Sequence, residues 1–397
     1  MPTIASLDAL EILDSRGRPT VQCRCVLDGG TAATVSVPSG ASTGTAEALE
    51  LRDGDAARYG GLGCRRAVGH IREEIARALA GRTFETQADL DRALLELDGT
   101  PNKSRLGANA ILAVSLAFAR ATAAERNVPL FAYFAEILGV TPRLPRPTIN
   151  LFSGGKHAGQ QVAIQDVLVV PLAATSIDAC LAATYAVYYA AARQAQEAFG
   201  MRLLRADEGG LAPPFPSTTA MLDAAVAAIR AAGAEPGRDA AMAVDVASSH
   251  FYADGKYTID GDSLNGAGMI ARLTDWLEAY PIISIEDGLA EEDWDYWPVL
   301  REAVGGRARV LGDDFLCTNP ARIRRAIETG AADALLLKVN QIGTLTEAAE
   351  ACRLARSAGW SVTVSARSGE TEDNWLADLA VGWAADHIKI GSITQSE

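Results

Sequence analysis

The sequence predicts an α/β protein in which a closed barrel of strands and crossover helices follows a smaller α+β region. Short apolar stretches alternate with helical stretches, such as residues 219–233 and 320–330, over the second half of the chain. This alternation predicts parallel strands, and the number of units favours a closed barrel over an open sheet. The strand-like stretches are AAMAVDV (240–246), IISIED (282–287), RVLGDD (309–314), ADALLLKV (332–339), SVTVS (361–365) and HIKI (387–390).

The first part of the chain has a different pattern. Residues 20–37 read as a strand, an Asp-Gly-Gly turn and a second strand, which is typical of a β-hairpin. Residues 105–127 have the apolar periodicity of a packed helix, and the proline-rich residues 141–150 read as a linker. We therefore expect an N-terminal domain over residues 1–140 and a barrel domain over residues 141–397.

Composition excludes several classes of function. The chain has 397 residues, 49% of them apolar, and a net charge of −14. Surfaces that bind nucleic acid or anionic membranes need clustered Lys and Arg, so we expect neither partner. The N-terminus lacks the pattern of a signal peptide and no stretch is long enough to span a membrane, which predicts a cytoplasmic protein. Six scattered cysteines predict reduced thiols without a disulfide framework.

Six charged residues lie at or just past the ends of predicted strands, which in a barrel of this type is the active-site face. Three acids among them are separated by spacings that each fit one strand–helix unit, so their carboxylates can point at one centre. Carboxylate oxygens suit Mg²⁺. Each acid alone would fit a helix cap or a surface ion pair equally well, but the combination with three cations favours a functional site. The six are Asp245, Glu286, Asp313, Lys338, Arg367 and Lys389.

Long sequence strings, distributed in order over nearly the whole chain, resemble the enolase family. The resemblance implies an N-terminal α+β capping domain on a modified (β/α)8 TIM-type barrel. It also implies dependence on Mg²⁺ with two ions per site, a small phosphorylated three-carbon acid as substrate, and a homodimer or higher homo-oligomer. The strings are DSRGRPTV, VPSGASTG, EALELRDGD, LDGTPNKSRLGANAILAVSLA, ADEGGLAP, SIEDGLAEEDW, GDDFLCTN, LLLKVNQIGTLTEA and RSGETED.

Matched residue by residue, the resemblance implies a role for each candidate residue. Lys338 would be the general base and Glu208 the general acid. The metal ligands would be Asp245, Glu286, Asp313 and Ser42, and the substrate ligands would be His157, Asp166, Ser365, Arg367, Ser368 and Lys389. The chemistry needs such groups, because removal of a proton beside a carboxylate builds a second negative charge that divalent cations can stabilise. Nearby Mg²⁺ and Lys389 are expected to lower the pKa of Lys338.

Three positions depart from the family. Enolases carry a histidine at the position of Ala366, a glutamate at Asp166 and an arginine at Gln395, and they continue past the position of Glu397 into a helical tail. Asp166 holds its carboxylate one methylene further back, and a displacement of about 1 Å can lower a rate on the order of 100-fold. Ala366 predicts an enlarged pocket beside Arg367 and Ser368. Neutral drift in an ordinary enolase would account for the same changes.

Three functions fit these observations. The first is the interconversion of 2-phosphoglycerate and phosphoenolpyruvate. The second is a specialised relative that acts on a phosphonate three-carbon acid, such as the enolase-like carboxyphosphonoenolpyruvate synthases of phosphonate antibiotic biosynthesis, which transfer a phosphonoformyl group from a nucleotide-activated donor. The third is a non-catalytic binding protein on an enolase fold, against which the complete set of metal ligands and the base argue.

Overall fold

The computed structural model describes residues 1–41, 43–200 and 204–396. The N-terminal region begins with a three-stranded antiparallel sheet in the order β1-β2-β3. The hairpin predicted over residues 20–37 is confirmed as β2 and β3, and the predicted long helix as α4. The elements are β1 (Ile4–Leu13), β2 (Pro19–Leu27), β3 (Ala32–Ser36), α1 (Arg65–His70), α2 (Ala76–Leu79), α3 (Gln87–Asp98), α4 (Ala108–Glu125) and α5 (Leu130–Leu138).

Helix α4 is the centre of the N-terminal core. It is apolar on all faces, and fifteen of its eighteen residues are buried. A helix of this kind needs cover on every side. It packs against β2 and β3 on one side and against α3 and α5 on the others.

The rest of the chain forms the predicted closed barrel, with eight strands in the order β4-β5-β6-β10-β11-β12-β13-β14 and β14 paired to β4. A small antiparallel sheet of β7, β8 and β9 is inserted after β6. The strands are β4 (Arg146–Ser153), β5 (Asp166–Pro171), β6 (Ala240–Asp245), β7 (Tyr252–Ala253), β8 (Lys256–Ile259), β9 (Asp262–Leu264), β10 (Ile282–Glu286), β11 (Arg309–Gly312), β12 (Ala334–Leu337), β13 (Ser361–Ser365) and β14 (His387–Lys389).

Helices cover the outside of the barrel. The helices of this region are α6 (Ile177–Phe199), α7 (Thr218–Ala231), α8 (Gly266–Ala279), α9 (Trp297–Val304), α10 (Pro320–Thr329), α11 (Val339–Ile342), α12 (Leu345–Ser357) and α13 (Trp375–Gly382). The six cysteines are buried and form no disulfide, as expected. Within the described residues, no helix has both the length and the apolar character needed to cross a bilayer.

Two sequence predictions need correction. The predicted linker at residues 141–150 includes the start of β4, whose side chains after Arg146 are all buried. In addition, β5 runs antiparallel to both β4 and β6, whereas the alternation of elements predicted parallel strands. A loop, not a crossover helix, connects β4 to β5, and neighbouring strands joined without a crossover pair antiparallel. The reversal places the first residue of β5, Asp166, opposite Asp245, the last residue of β6.

The N-terminal domain lies over the barrel rim at which the parallel strands end. Ser39 and Gly369 exchange two backbone hydrogen bonds of 2.8 and 3.0 Å. Arg16 donates to the Ser368 hydroxyl at 2.9 Å. Both domains therefore contribute residues to the mouth of the barrel.

Candidate active site

The barrel rim gathers the charged residues predicted from the strand ends. Asp245, Glu286 and Lys389 are the last residues of β6, β10 and β14, while Asp313 and Lys338 directly follow β11 and β12. All five side chains are buried. Parallel strands that end at the same level carry their last side chains to one edge, which explains this convergence.

Lys389 joins two of the carboxylates. Its ammonium donates to Asp245 Oδ2 and to both carboxylate oxygens of Glu286, each at 2.8 Å. Burial acts against a charged ammonium, but Asp245 and Glu286 together raise the pKa of Lys389 well above its ordinary value. Burial and the neighbouring Asp245 raise the pKa of Glu286 in turn.

The third carboxylate pairs with the other lysine. Lys338 Nζ donates to Asp313 Oδ2, and Gln341 Nε2 donates to Asp313 Oδ1 at 2.8 Å. Burial alone would lower the pKa of Lys338, and so do Arg367 and Lys389, but Asp313 raises it overall. Asp313 raises this pKa because it bonds directly to the ammonium, whereas the expected lowering depends on Mg²⁺ nearby and stays a prediction.

Among the described residues there are two groups of three side chains whose carboxylate or imidazole ligand atoms all lie within 4.8 Å of one another. One consists of Asp287, Asp313 and Asp314, and the other of His157, Asp166 and Glu208. The predicted set of Asp245, Glu286 and Asp313 is not among them; in this arrangement Lys389 bonds to Asp245 and Glu286, and Lys338 bonds to Asp313.

The oxygen donors of the rim nevertheless fit a divalent cation. Asp245, Glu286 and Asp313 are buried carboxylates on three neighbouring strands, and the carboxylates of Asp287 and Asp314 lie beside Asp313. Burial and the charge of Asp313 raise the pKa of Asp314 to about 7. A buried excess of acidic groups is destabilising unless cations compensate it, and oxygen-only donor sets suit Mg²⁺.

The second group lies where β5 begins. His157 Nδ1 is 3.3 Å from Asp166 Oδ2 and 3.8 Å from Glu208 Oε1. Burial would lower the pKa of His157, but the carboxylates of Glu208 and Asp166 raise it to about 9. The predicted general acid, Glu208, and two predicted substrate ligands, His157 and Asp166, therefore lie in one group.

Arg367 and Ser368 follow β13 and are held by the N-terminal domain. The Arg367 guanidinium donates to both oxygens of Glu47, at 3.1 and 3.2 Å, and to Asn340 Oδ1 at 3.1 Å. The Ser368 hydroxyl accepts from the Ala41 backbone at 2.8 Å. A Cβ atom at Gly40 would lie 1.9 Å from Arg367 Nη2, so a side chain at this position would displace the Arg367 guanidinium.

Two predicted residues, Ser365 and Ser42, and one residue that was not predicted, Glu47, remain to be placed. The buried Ser365 hydroxyl donates to the Ala366 carbonyl at 2.9 Å. Ser42 lies outside the described residues. Glu47 lies in the string EALELRDGD and was not predicted as a site residue, because its pairing with Arg367 spans the two domains and has no local sequence signal.

A cavity lies beside Ala366 and connects two of the three positions that depart from the family pattern. Its lining includes Ala366, Gln395, Arg367, Ser368 and the acid Glu208. It also includes Glu370, whose pKa burial raises to about 8. The cavity is therefore continuous with the residues predicted to bind the substrate.

The turn that carries Glu208 is held by residues 392–395. The carbonyls of Asp207, Glu208 and Gly209 each accept one hydrogen bond from this segment. The donors are Gln395 Nε2 at 2.9 Å, the Ser392 backbone at 2.8 Å and Thr394 Oγ1 at 2.9 Å. Asn150 Nδ2 fixes the side chain through Glu208 Oε2 at 2.9 Å. Both the backbone and the carboxylate of Glu208 are thus positioned.

Comparison with protein-family models agrees with this architecture. Residues 4–134 match the model described as the enolase N-terminal domain. Residues 141–397 match the model described as the enolase C-terminal TIM barrel domain. The two matches together cover nearly all of the chain.

Proposed function

Because the chain belongs to the enolase family, we propose that it is a Mg²⁺-dependent enzyme that removes the α-proton of 2-phosphoglycerate, or a close analogue, and eliminates water to give phosphoenolpyruvate. One observation supports this most strongly. Lys338 follows β12, and the Glu208 carboxylate is bound by Asn150 of β4, beside Asp166 of β5. In the eight-stranded ring β12 lies opposite β5, so a base and an acid face each other across the barrel mouth.

The chain's residues divide the reaction into two proton transfers. Lys338, as a neutral amine, takes the proton from C2, and the electrons of the C–H bond pass into the substrate carboxylate. These electrons then return to form the C2–C3 double bond as the C3–O bond breaks, the electrons of the C–O bond leave with the hydroxyl, and Glu208 protonates that group to give water. Arg367 and Ser368 hold the phosphate by charge-assisted hydrogen bonds.

Mg²⁺ held by Asp245, Glu286 and Asp313 would stabilise the second negative charge on the substrate carboxylate. An Asp313 carboxylate committed to a cation would no longer raise the pKa of Lys338 to the same degree, which favours the neutral amine. The family resemblance adds Ser42 as a ligand of a second ion, and this assignment stays a prediction, as does the homodimer.

A coupled assay with 2-phosphoglycerate and Mg²⁺ tests this proposal. Turnover near that of ordinary enolases supports it, and chelation of the metal should remove the activity. Weak turnover favours the specialised relative, whereas no turnover with or without metal favours a non-catalytic protein.

The cavity beside Ala366 supports one alternative. Two of the three departures, Ala366 and Gln395, border the same space next to Arg367 and Ser368. Because position 366 carries alanine, no imidazole occupies the space beside Arg367 and Ser368, and this leaves it open to a differently charged substituent. This favours a phosphonate analogue and a transfer reaction like that of carboxyphosphonoenolpyruvate synthases as the second candidate function.

Filling this space tests whether the pocket is adapted to a larger substrate. We expect Ala366→His combined with Asp166→Glu to raise the dehydration of 2-phosphoglycerate by at least about tenfold, because misplacement of a binding group by about 1 Å costs on the order of 100-fold. The measurement is kcat/KM for 2-phosphoglycerate in the parent, both single variants and the double variant, since the two sites border one ligand. An unchanged kcat/KM in the double variant would show that the alanine is drift.

The hydrogen bonds to the Glu208 turn give a second prediction. Thr394→Val removes one of the two donors to the Gly209 carbonyl, since the Tyr188 hydroxyl also donates to it at 3.0 Å, and one hydrogen bond is worth about 1 kcal/mol, or about fivefold in rate. We expect water elimination to slow by about that factor while exchange of the α-proton, which depends on Lys338, stays constant. Thr394→Ser should restore elimination. Thr329→Val is the matched control, because the exposed Thr329 hydroxyl donates to the Arg325 carbonyl at the C-terminal end of α10; equal losses of elimination and exchange in Thr394→Val would contradict the role.

A further inference from the structure

Two N–H donors from the N-terminal domain converge on the Ser368 hydroxyl. Arg16 Nη1 donates to Ser368 Oγ at 2.9 Å, and the Ala41 backbone N–H donates to the same oxygen at 2.8 Å. A serine hydroxyl has two acceptor lone pairs and one O–H donor, so both lone pairs are occupied. Ser368 is 6% exposed and borders the cavity beside Ala366. Its O–H is left to donate, and no acceptor among the described residues receives it.

The Arg16 guanidinium is fixed from several sides. Its Nη2 donates to the Ser39 carbonyl and to Asp14 Oδ2, each at 2.9 Å, and its Nε donates to Asp14 Oδ2 at 3.2 Å. The side chains of Arg16 and Asp14 are 4% and 0% exposed. The guanidinium cannot turn away from Ser368 without losing buried hydrogen bonds, each of which is costly to leave unmade.

Gly369 provides the space for this pair beneath the Ser368 turn. A Cβ atom at Gly369 would collide with both Asp14 Oδ2 and Arg16 Nη2. The Gly369 backbone also exchanges two hydrogen bonds with Ser39, whose carbonyl accepts from Arg16. The N-terminal domain therefore places a neutralised Arg–Asp pair directly behind the hydroxyl that faces the cavity.

We propose that Arg16 is a positioning residue that fixes the Ser368 hydroxyl as a hydrogen-bond donor, so that this end of the cavity takes a fully ionised tetrahedral oxyanion, such as a phosphate or phosphonate dianion. The Arg367 guanidinium is also a donor only, so an oxygen that carries a proton finds no acceptor on either group. Burial raises the pKa of Glu370, at the cavity wall, to about 8, so this carboxyl is neutral at pH 7 and does not repel the anion. That the anion is part of the substrate rests on the proposed function, whereas its binding does not.

A double-mutant cycle tests whether Arg16 acts through Ser368. Asp14→Asn combined with Arg16→Gln removes both charges, so that neither is left buried and unpaired. We expect this pair change to weaken the binding of methyl phosphate, measured by ³¹P NMR titration, by about 10- to 100-fold, the value of a hydrogen bond to a charged group. In a Ser368→Ala background the same change should alter binding by less than about twofold, because no hydroxyl remains to be oriented.

The control is the exposed pair of Arg72 and Asp8, which are 2.7 Å apart in the same domain. Asp8→Asn combined with Arg72→Gln should bind methyl phosphate as the parent does. Losses that are equal in the parent and Ser368→Ala backgrounds would overturn the proposal, as would a parent that does not bind methyl phosphate.

The pH dependence of binding by the parent tests the charge state of the anion without any variant. A phosphate monoester loses its second proton at about pH 6, so methyl phosphate should bind about tenfold more tightly at pH 7 than at pH 5, relative to sulfate measured as a competitor. Sulfate is a dianion throughout this range, and the charged protein groups around the cavity act on both anions. These groups are Asp14, Arg16, Glu208, Arg367 and Glu370.

A ratio of methyl phosphate to sulfate affinity that does not change with pH would overturn the proposal. Binding with the expected pH dependence by a protein that does not dehydrate 2-phosphoglycerate would support the oxyanion site and reject the proposed function, so the two failures are distinguishable.

Discussion

Replacement of Lys338 by alanine should lower both the dehydration of 2-phosphoglycerate and the exchange of its α-proton with solvent by about 10²- to 10⁴-fold. Both processes begin with removal of the proton from C2, and Lys338 is the buried amine placed to accept it. Glu208→Gln should lower dehydration to a similar extent but preserve exchange, because the amide cannot protonate the leaving hydroxyl while Lys338 is intact.

The measurements are formation of phosphoenolpyruvate by absorbance and incorporation of deuterium at C2 by NMR. Lys256→Ala is the control, since this lysine is exposed on β8, and both rates should equal those of the parent. Exchange that survives Lys338→Ala would reject Lys338 as the base. Loss of exchange in Glu208→Gln would show that Glu208 acts before the elimination step.

Removal of any one rim carboxylate should weaken Mg²⁺ binding by at least about 10- to 100-fold. Loss of a residue that only supports a metal ligand already lowers metal affinity by about this factor. The variants are Asp245→Ala, Glu286→Ala and Asp313→Ala, and the affinity is measured by calorimetry. Two carboxylates left in place cannot provide the same charge or coordination. Activity at a fixed Mg²⁺ concentration should fall with the affinity.

A change at these positions also affects the lysines. Loss of Asp313 removes the acceptor of the Lys338 ammonium, and loss of Glu286 removes one of the two acceptors of Lys389. A buried ammonium without its partner destabilises a protein, so thermal melting of each variant is measured alongside. Asp178→Ala, in the exposed first turn of α6, is the control. Unchanged Mg²⁺ affinity in all three folded variants would mean that these carboxylates do not form one metal site.

Much of the rim could be predicted because strand ends are visible in the sequence. The acids and lysines at the ends of β6, β10, β11, β12 and β14 each follow an apolar, β-branched or alanine-rich stretch, and the parallel arrangement takes them to one edge. The reversal of β5 could not be predicted, since residues 154–165 between β4 and β5 contain no periodic pattern that distinguishes a loop from a crossover.

Contacts between distant segments were also beyond prediction. Glu47 binds Arg367 across 320 residues of sequence, and Thr394 binds the Gly209 carbonyl across 185 residues. Such pairs depend on how the domains and loops pack, and neither partner has an unusual local sequence. The direct bond from Lys338 to Asp313 likewise depends on how neighbouring strand ends pack, and it raises the pKa of Lys338 in this arrangement.

The most direct test of the central claim is the exchange of the C2 proton of 2-phosphoglycerate in deuterium oxide, followed by ¹H NMR with the unmodified protein. Exchange detects proton removal itself and does not require elimination to be complete. Loss of the C2 proton signal that needs Mg²⁺ and stops when the metal is chelated is the predicted result. Retention of that signal at saturating Mg²⁺, in protein that is folded and binds the metal, would contradict the claim that this site abstracts an α-proton from 2-phosphoglycerate.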